Sequence, residues 1–189
     1  FFKEETVARG VAAVQRLVRA AAHDGVNHLR AVATSAVREA RNRDLFIQRV
    51  VEAAGIEIEP IEGQEEARLV FEAVKRRIKL GAAPCLLVDI GGGSIQVSVA
   101  EKGELIFSES VKMGAVRLLQ MLGPEKRSPA LFARLVAGYA QSLRRRLGGR
   151  LKKDRLRRLI GTGGNIEAFA ELRHRLLRRP DADALTASE

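Results

Sequence analysis

Apolar positions along the chain alternate between helical and strand periods, which predicts an α/β layer architecture. From Phe2 to Ala22, Val7, Val11, Val14, Leu17 and Val18 form one helical stripe, and Gly25 supplies a left-handed stop. Leu29–Ala33 reads as a short strand ending in Thr34-Ser35. A helix over Arg43–Ala54, with Leu45, Phe46, Val50 and Val51 inward, stops at Gly55, and Ile56–Ile61 reads as the next strand. The helix after Gly63 runs from Glu65 to Leu80 with Leu69, Val70, Ala73 and Val74 as its stripe. Then the buried run Leu86–Ile90, three glycines, the alternating run Ile95–Val99, the turn Glu101-Lys102-Gly103 and the run Glu104–Phe107 predict three consecutive strands. A short helix opens at Gly114 and a longer one spans Pro129–Leu147. The strand Leu159-Ile160 then leads through Gly161–Asn165 into a last helix carrying Ile166, Phe169 and Leu172.

The loop Gly91-Gly92-Gly93 interrupts this pattern with chemistry. Nucleotide-binding glycine loops run from a strand into a helix, whereas this one joins two strands. Glycines at a tight turn let successive N–H groups converge on an anion. Asp89 places a carboxylate beside that hollow and Ser94 a hydroxyl. A hairpin turn with no ligand is the competing reading. The turn Gly161-Thr162-Gly163-Gly164 precedes a helix, whose first N–H groups also favour anions.

Glu66 is the second point of interest. It lies one turn ahead of both Leu69 and Val70, on the inward stripe, while Glu65 is expected to be more exposed. Burying an unpaired carboxylate is costly. Either Glu66 complements the positive end of its helix, or it faces a cleft and acts as a base on water.

Composition narrows the partners. The 189 residues suffice for one domain or two small ones, and the formal charge of +10 favours anionic partners. No run reaches membrane-spanning length, no signal-peptide pattern opens the chain, and the single Cys85 sits in an apolar strand. A cytoplasmic location without membrane partners is expected. Arg144–Arg158 is densely basic but lacks aromatic residues for base stacking, so it reads as a solvated face and nucleic acid is not an expected partner. His23, His28 and His174 have no metal-ligand spacing, and no zinc site is expected.

Five segments in order carry a resemblance: Ala33–Asn42, Gly63–Leu69, Asp89–Ser94, Gly114–Leu118 and Gly161–Gly164. Together they resemble the exopolyphosphatase/guanosine pentaphosphate phosphohydrolase (Ppx/GppA) family. The resemblance implies the actin-like (ribonuclease H-like) fold, with two α/β domains and an interdomain cleft. Residues 1–83 would belong to the first domain, with Glu66, and residues 84–189 to the second. It also implies removal of the terminal phosphate of inorganic polyphosphate or pppGpp with Mg²⁺ or another divalent cation. By the same resemblance Glu66 is the general base and Asp89 the metal ligand. Gly91, Gly92, Gly93, Ser94, Gly161, Thr162, Gly163 and Gly164 bind phosphate, and Arg38 contacts it. A homodimer is admitted. Members begin with an Asp-x-Gly-Ser-Asn-Ser segment and continue past the second glycine turn, so the chain is expected to be the central piece of a longer protein. Ile95 and Gln96 stand where members have Thr and Glu. Gln96 motivates an alternative, a (p)ppGpp- or polyphosphate-binding module with weakened catalysis.

Overall fold

A computed structural model of the chain describes residues 1–123, 128–148 and 156–177. It divides into two compact units, Phe1–Glu62 and Gly63–Glu189.

The first unit contains α1 (Glu4–His23), β1 (Ala31–Ala33), α2 (Ser35–Arg38), α3 (Arg43–Ala54) and β2 (Ile58–Pro60). β1 and β2 pair in parallel, with Ala31 opposite Ile58 and Ala33 opposite Pro60. Val7, Phe46, Val50 and Ile58 form the core, flanked by Val11 and Val14. Leu17, expected to face inward, is 69% exposed. Val18, the next residue, is half-buried, and Leu17 lies about a quarter turn round the helix from the line of Val7, Val11, Val14 and Val18; Gln15 Nε2 donates to the Ala53 carbonyl at 2.7 Å. Leu45 and Val51 of α3 are also exposed; Phe46 and Val50, one turn apart, carry its buried face.

The second unit comprises α4 (Gly63–Arg77), β3 (Cys85–Ile90), β4 (Ile95–Glu101), β5 (Glu104–Val111), α5 (Ala115–Leu122), α6 (Pro129–Leu147), β6 (Arg158–Thr162) and α7 (Gly164–Leu177). The sheet order is β5-β4-β3-β6. β3 and β5 flank β4 antiparallel, and β6 pairs with β3 in parallel. Lys102 and Gly103 both take positive φ, 54° and 76°, which suits a two-residue hairpin between right-twisted strands. Ser128 caps α6 by accepting the Leu131 N–H at 3.1 Å. Of the basic run, residues 149–155 lie outside the described residues. Among the described residues no helix is long and apolar enough to cross a membrane.

The core of this unit explains where the units divide. Phe71 and Val74 of α4 pack with Cys85, Leu87, Ala100 and Ile160, so α4 falls in one unit with the sheet. The helix is also rotated relative to the expected stripe. Ala67, Phe71 and Val74 are buried while Ala73 is exposed. Cys85 is 1% exposed, and burial pushes its thiol pKa up. It is expected to stay unmodified by a thiol reagent in the folded chain and to react fully after denaturation, which a colorimetric thiol count checks.

Candidate active site

The second unit carries a row of polar side chains where its sheet leaves the apolar core. Asp89 stands opposite Gln96 on β4 and Thr162 on β6, and Gln96 stands opposite Ser110 on β5. Paired residues share a face of the sheet, and successive residues alternate between faces. The row therefore lies on the face of Cys85, Leu87, Ala100 and Ile160, the face that α4 covers.

The start of α4 lies over the same row. A Cβ on Gly63 would sit 2.4 Å from Cβ and Oγ of Ser110, so the helix begins hard against β5. Glu66 follows one turn later, on the side of the helix shared by Gly63 and Val70. Its Oε2 is sealed from solvent. Glu65, 30% exposed at its side chain, instead holds Arg68 through two hydrogen bonds of 2.7 and 2.8 Å. The two adjacent acids thus have different surroundings.

Packing from behind shapes the glycine loop. The Gly91 N–H donates to Ser94 O at 3.0 Å and closes the turn. Gly91 O accepts from the Ala115 N–H, and Gly92 O accepts from the N–H groups of Val116 and Arg117. Gly93 O accepts from Arg117 Nε at 3.0 Å. All three carbonyls are therefore held by the first turn of α5. The N–H groups of Gly92 and Gly93 donate to nothing among the described residues. Gly114 makes the seating possible, because a Cβ there would lie 2.1–2.2 Å from backbone atoms of Gly92 and Gly93. The Gly114–Leu118 segment stands out in sequence, but its function as the backing of the loop is a tertiary contact that spacing does not reveal.

Ser94 and Gln96 are buried beneath the loop, 3% and 1% exposed. Gln96 Nε2 donates to Ser94 Oγ at 3.0 Å, and its buried Oε1 accepts from nothing among the described residues. On the other side of Asp89, Thr162 Oγ1 donates to Asp89 Oδ1 at 2.6 Å, and Asn165 Nδ2 donates to Ile90 O at 3.1 Å. Gly163 has φ 93°. Its Cβ would fall 2.6 Å from Ile90 O, so conformation and space both demand glycine. Gly161 and Gly164 flank Thr162 and Gly163 in this turn.

Glu66, Asp89, Gly91–Ser94 and Gly161–Gly164 therefore all lie in the second unit, whereas Arg38 lies in the first. There its side chain is 13% exposed, donates to Ile61 O, and lies 3.9 Å from the Glu62 carboxylate. An open groove of about 530 Å³ in the first unit, lined by Leu29, Arg30, Ile47, Ile56, Glu59 and Pro60 among others, contains none of these residues.

A strand-to-strand glycine loop with an acid at its entrance thus sits on a mixed sheet of an α/β unit, covered by a helix that bears a second acid. The Ppx/GppA phosphatase family model matches residues 1–175, and the chain belongs to that family. Exopolyphosphatase 1 of Mycobacterium tuberculosis is 36% identical over 115 residues, covering 61% of this chain and 33% of the relative. A guanosine-5'-triphosphate,3'-diphosphate pyrophosphatase of Vibrio vulnificus is 32% identical over 146 residues, covering 77% of this chain and 29% of the relative. The chain thus spans about a third of the length of these curated relatives. An exopolyphosphatase structure from Cytophaga hutchinsonii superposes with a TM-score of 0.87 at 26% identity, over 96% of this chain and 58% of that one. The α/β fold is that of this exopolyphosphatase structure.

Proposed function

We propose that the chain carries the hydrolytic site for removing the terminal phosphate of inorganic polyphosphate or pppGpp. The observation that supports this most is the glycine loop: its carbonyls are tied down on α5 and two of its N–H groups are left to donate beside Asp89. Relatives named exopolyphosphatase and guanosine-5'-triphosphate,3'-diphosphate pyrophosphatase supply the two substrates.

Phosphoryl transfer to water needs positioning and charge neutralisation more than covalent help. The Gly92 and Gly93 N–H groups hold oxygens of the terminal phosphoryl group. Glu66 orients the attacking water and takes its proton. The new bond joins the water oxygen to phosphorus; the bridging P–O bond breaks, and its electron pair leaves with the shortened chain. The residues fit a divalent cation. Among the described residues no three His, Cys, Asp or Glu side chains converge, and Mg²⁺ needs only one or two carboxylates beside waters and substrate phosphates. Asp89 would hold it, and Gln96 opposite adds a buried Oε1 that accepts from nothing among the described residues. When bound, Mg²⁺ neutralises charge on the phosphate oxygens. The net charge of +10 draws in the polyanion, and the setting we infer is the cytoplasm.

The test is orthophosphate release from polyphosphate and from pppGpp with Mg²⁺. Release from either, stopped by a chelator, is expected. Calorimetric binding of both without release would contradict the hydrolase reading in favour of a binding module.

A further inference from the structure

We infer that Thr162 is a positioning residue whose hydroxyl acts on the reaction through Asp89 and does not itself donate to phosphate. The inference rests on the reading of Asp89 as the cation-holding group. Thr162 and Asp89 are paired in the parallel β3–β6 register, and Oγ1 lies 2.6 Å from Oδ1. A threonine hydroxyl has one proton, and here it is donated to a carboxylate oxygen. What remains on Oγ1 is lone pairs, which repel a phosphate oxygen. The Thr162 hydroxyl cannot donate to both groups.

The rest of the turn is shaped around the same carboxylate. A Cβ on Gly163 would lie 3.1 Å from Asp89 Oδ1 as well as 2.6 Å from Ile90 O, so the backbone at Gly163 is closed against the end of β3. Asn165 secures that strand end through Ile90 O. On the far side, Gln96 has its amide donor on Ser94 Oγ. Among the described residues Thr162 is thus the only side chain donating to Asp89. Holding Oδ1 fixes the plane of the carboxylate and presents Oδ2. Partners that orient a metal-binding carboxylate in this way alter metal affinity by about 10–100-fold when removed.

The test is binding of Mn²⁺ alone, read from its paramagnetic resonance signal, to the full chain and to Asp89→Asn, Thr162→Val, Thr162→Ala and Thr162→Ser, with a thermal melt of each. Asp89→Asn is expected to abolish binding. Thr162→Val and Thr162→Ala are expected to weaken it about 10–100-fold. Thr162→Ser, which keeps the donor, is expected to restore it. If the folded hydroxyl-free variants bind as tightly as the parent, or if Thr162→Ser is as weak as they are, this inference is overturned and Asp89 keeps its assignment. If Asp89→Asn binds like the parent, or the parent binds no Mn²⁺, the underlying reading fails with it.

Discussion

Gly114→Ala is expected to remove phosphate release while leaving every proposed catalytic side chain in place. The added methyl would sit 2.1–2.2 Å from backbone atoms of Gly92 and Gly93, distances that no rotamer change relieves because both sides are main chain. Either the glycine loop lifts from α5 or α5 moves away. In both cases Gly91 O and Gly92 O lose the α5 N–H groups that hold them, and the Gly92 and Gly93 donors turn with their peptide planes. Loss of a single preorganised donor to a transition-state oxygen costs about 10²–10³-fold in kcat. Two donors shift together here, so kcat/KM is expected to fall at least that far. Overpacking adds about 1–3 kcal/mol of destabilisation, visible as a lower Tm. A folded Gly114→Ala chain with parental kcat/KM for polyphosphate would show that the loop does not hold the reacting phosphate.

Glu66→Gln is expected to have the second large effect, through chemistry instead of shape. Glutamine matches the carboxylate in size and hydrogen-bonds on the same side of α4, but it cannot take a proton from water at neutral pH. A positioned general base contributes about 10²–10⁴-fold, so kcat is expected to fall by that factor with KM nearly unchanged. Glu65→Gln is the internal control. Glu65 is engaged with Arg68 on the helix surface, and losing that pair is expected to leave turnover within about twofold, since exposed pairs contribute little. Equal losses in the two variants would mean that Glu66 serves the helix N-terminus and not the reaction.

Much of this arrangement is legible in the chain because it depends on local periodicity. The strand–glycine–strand stretch around Asp89 follows from a spacing of two residues, and α4 from a spacing of three to four. What the sequence hides depends on distant partners. Phe71, the largest fully buried side chain, lies outside the stripe read from the pattern because the sheet strands, not α4, choose which side of the helix is covered. The same packing assigns α4 to the second unit. The Asp89–Thr162 bond spans 73 positions and exists only because β6 pairs with β3 in one register. The four-residue α2 has too few turns to show a period at all. Leu17 shows the converse error, since a position about a quarter turn off the line of Val7, Val11, Val14 and Val18 is read into the stripe by spacing but stays exposed.

The claim that everything else depends on is that Glu66 and the glycine loop serve one phosphoryl group. A crystal structure of the chain with Mg²⁺ and imidodiphosphate, which resists hydrolysis, tests it most directly. The expected result is a terminal phosphoryl group on the Gly92 and Gly93 N–H groups, with the Glu66 carboxylate one water molecule away from its phosphorus. Imidodiphosphate lodged elsewhere, or hydrocarbon packed between Glu66 and the loop, would contradict it.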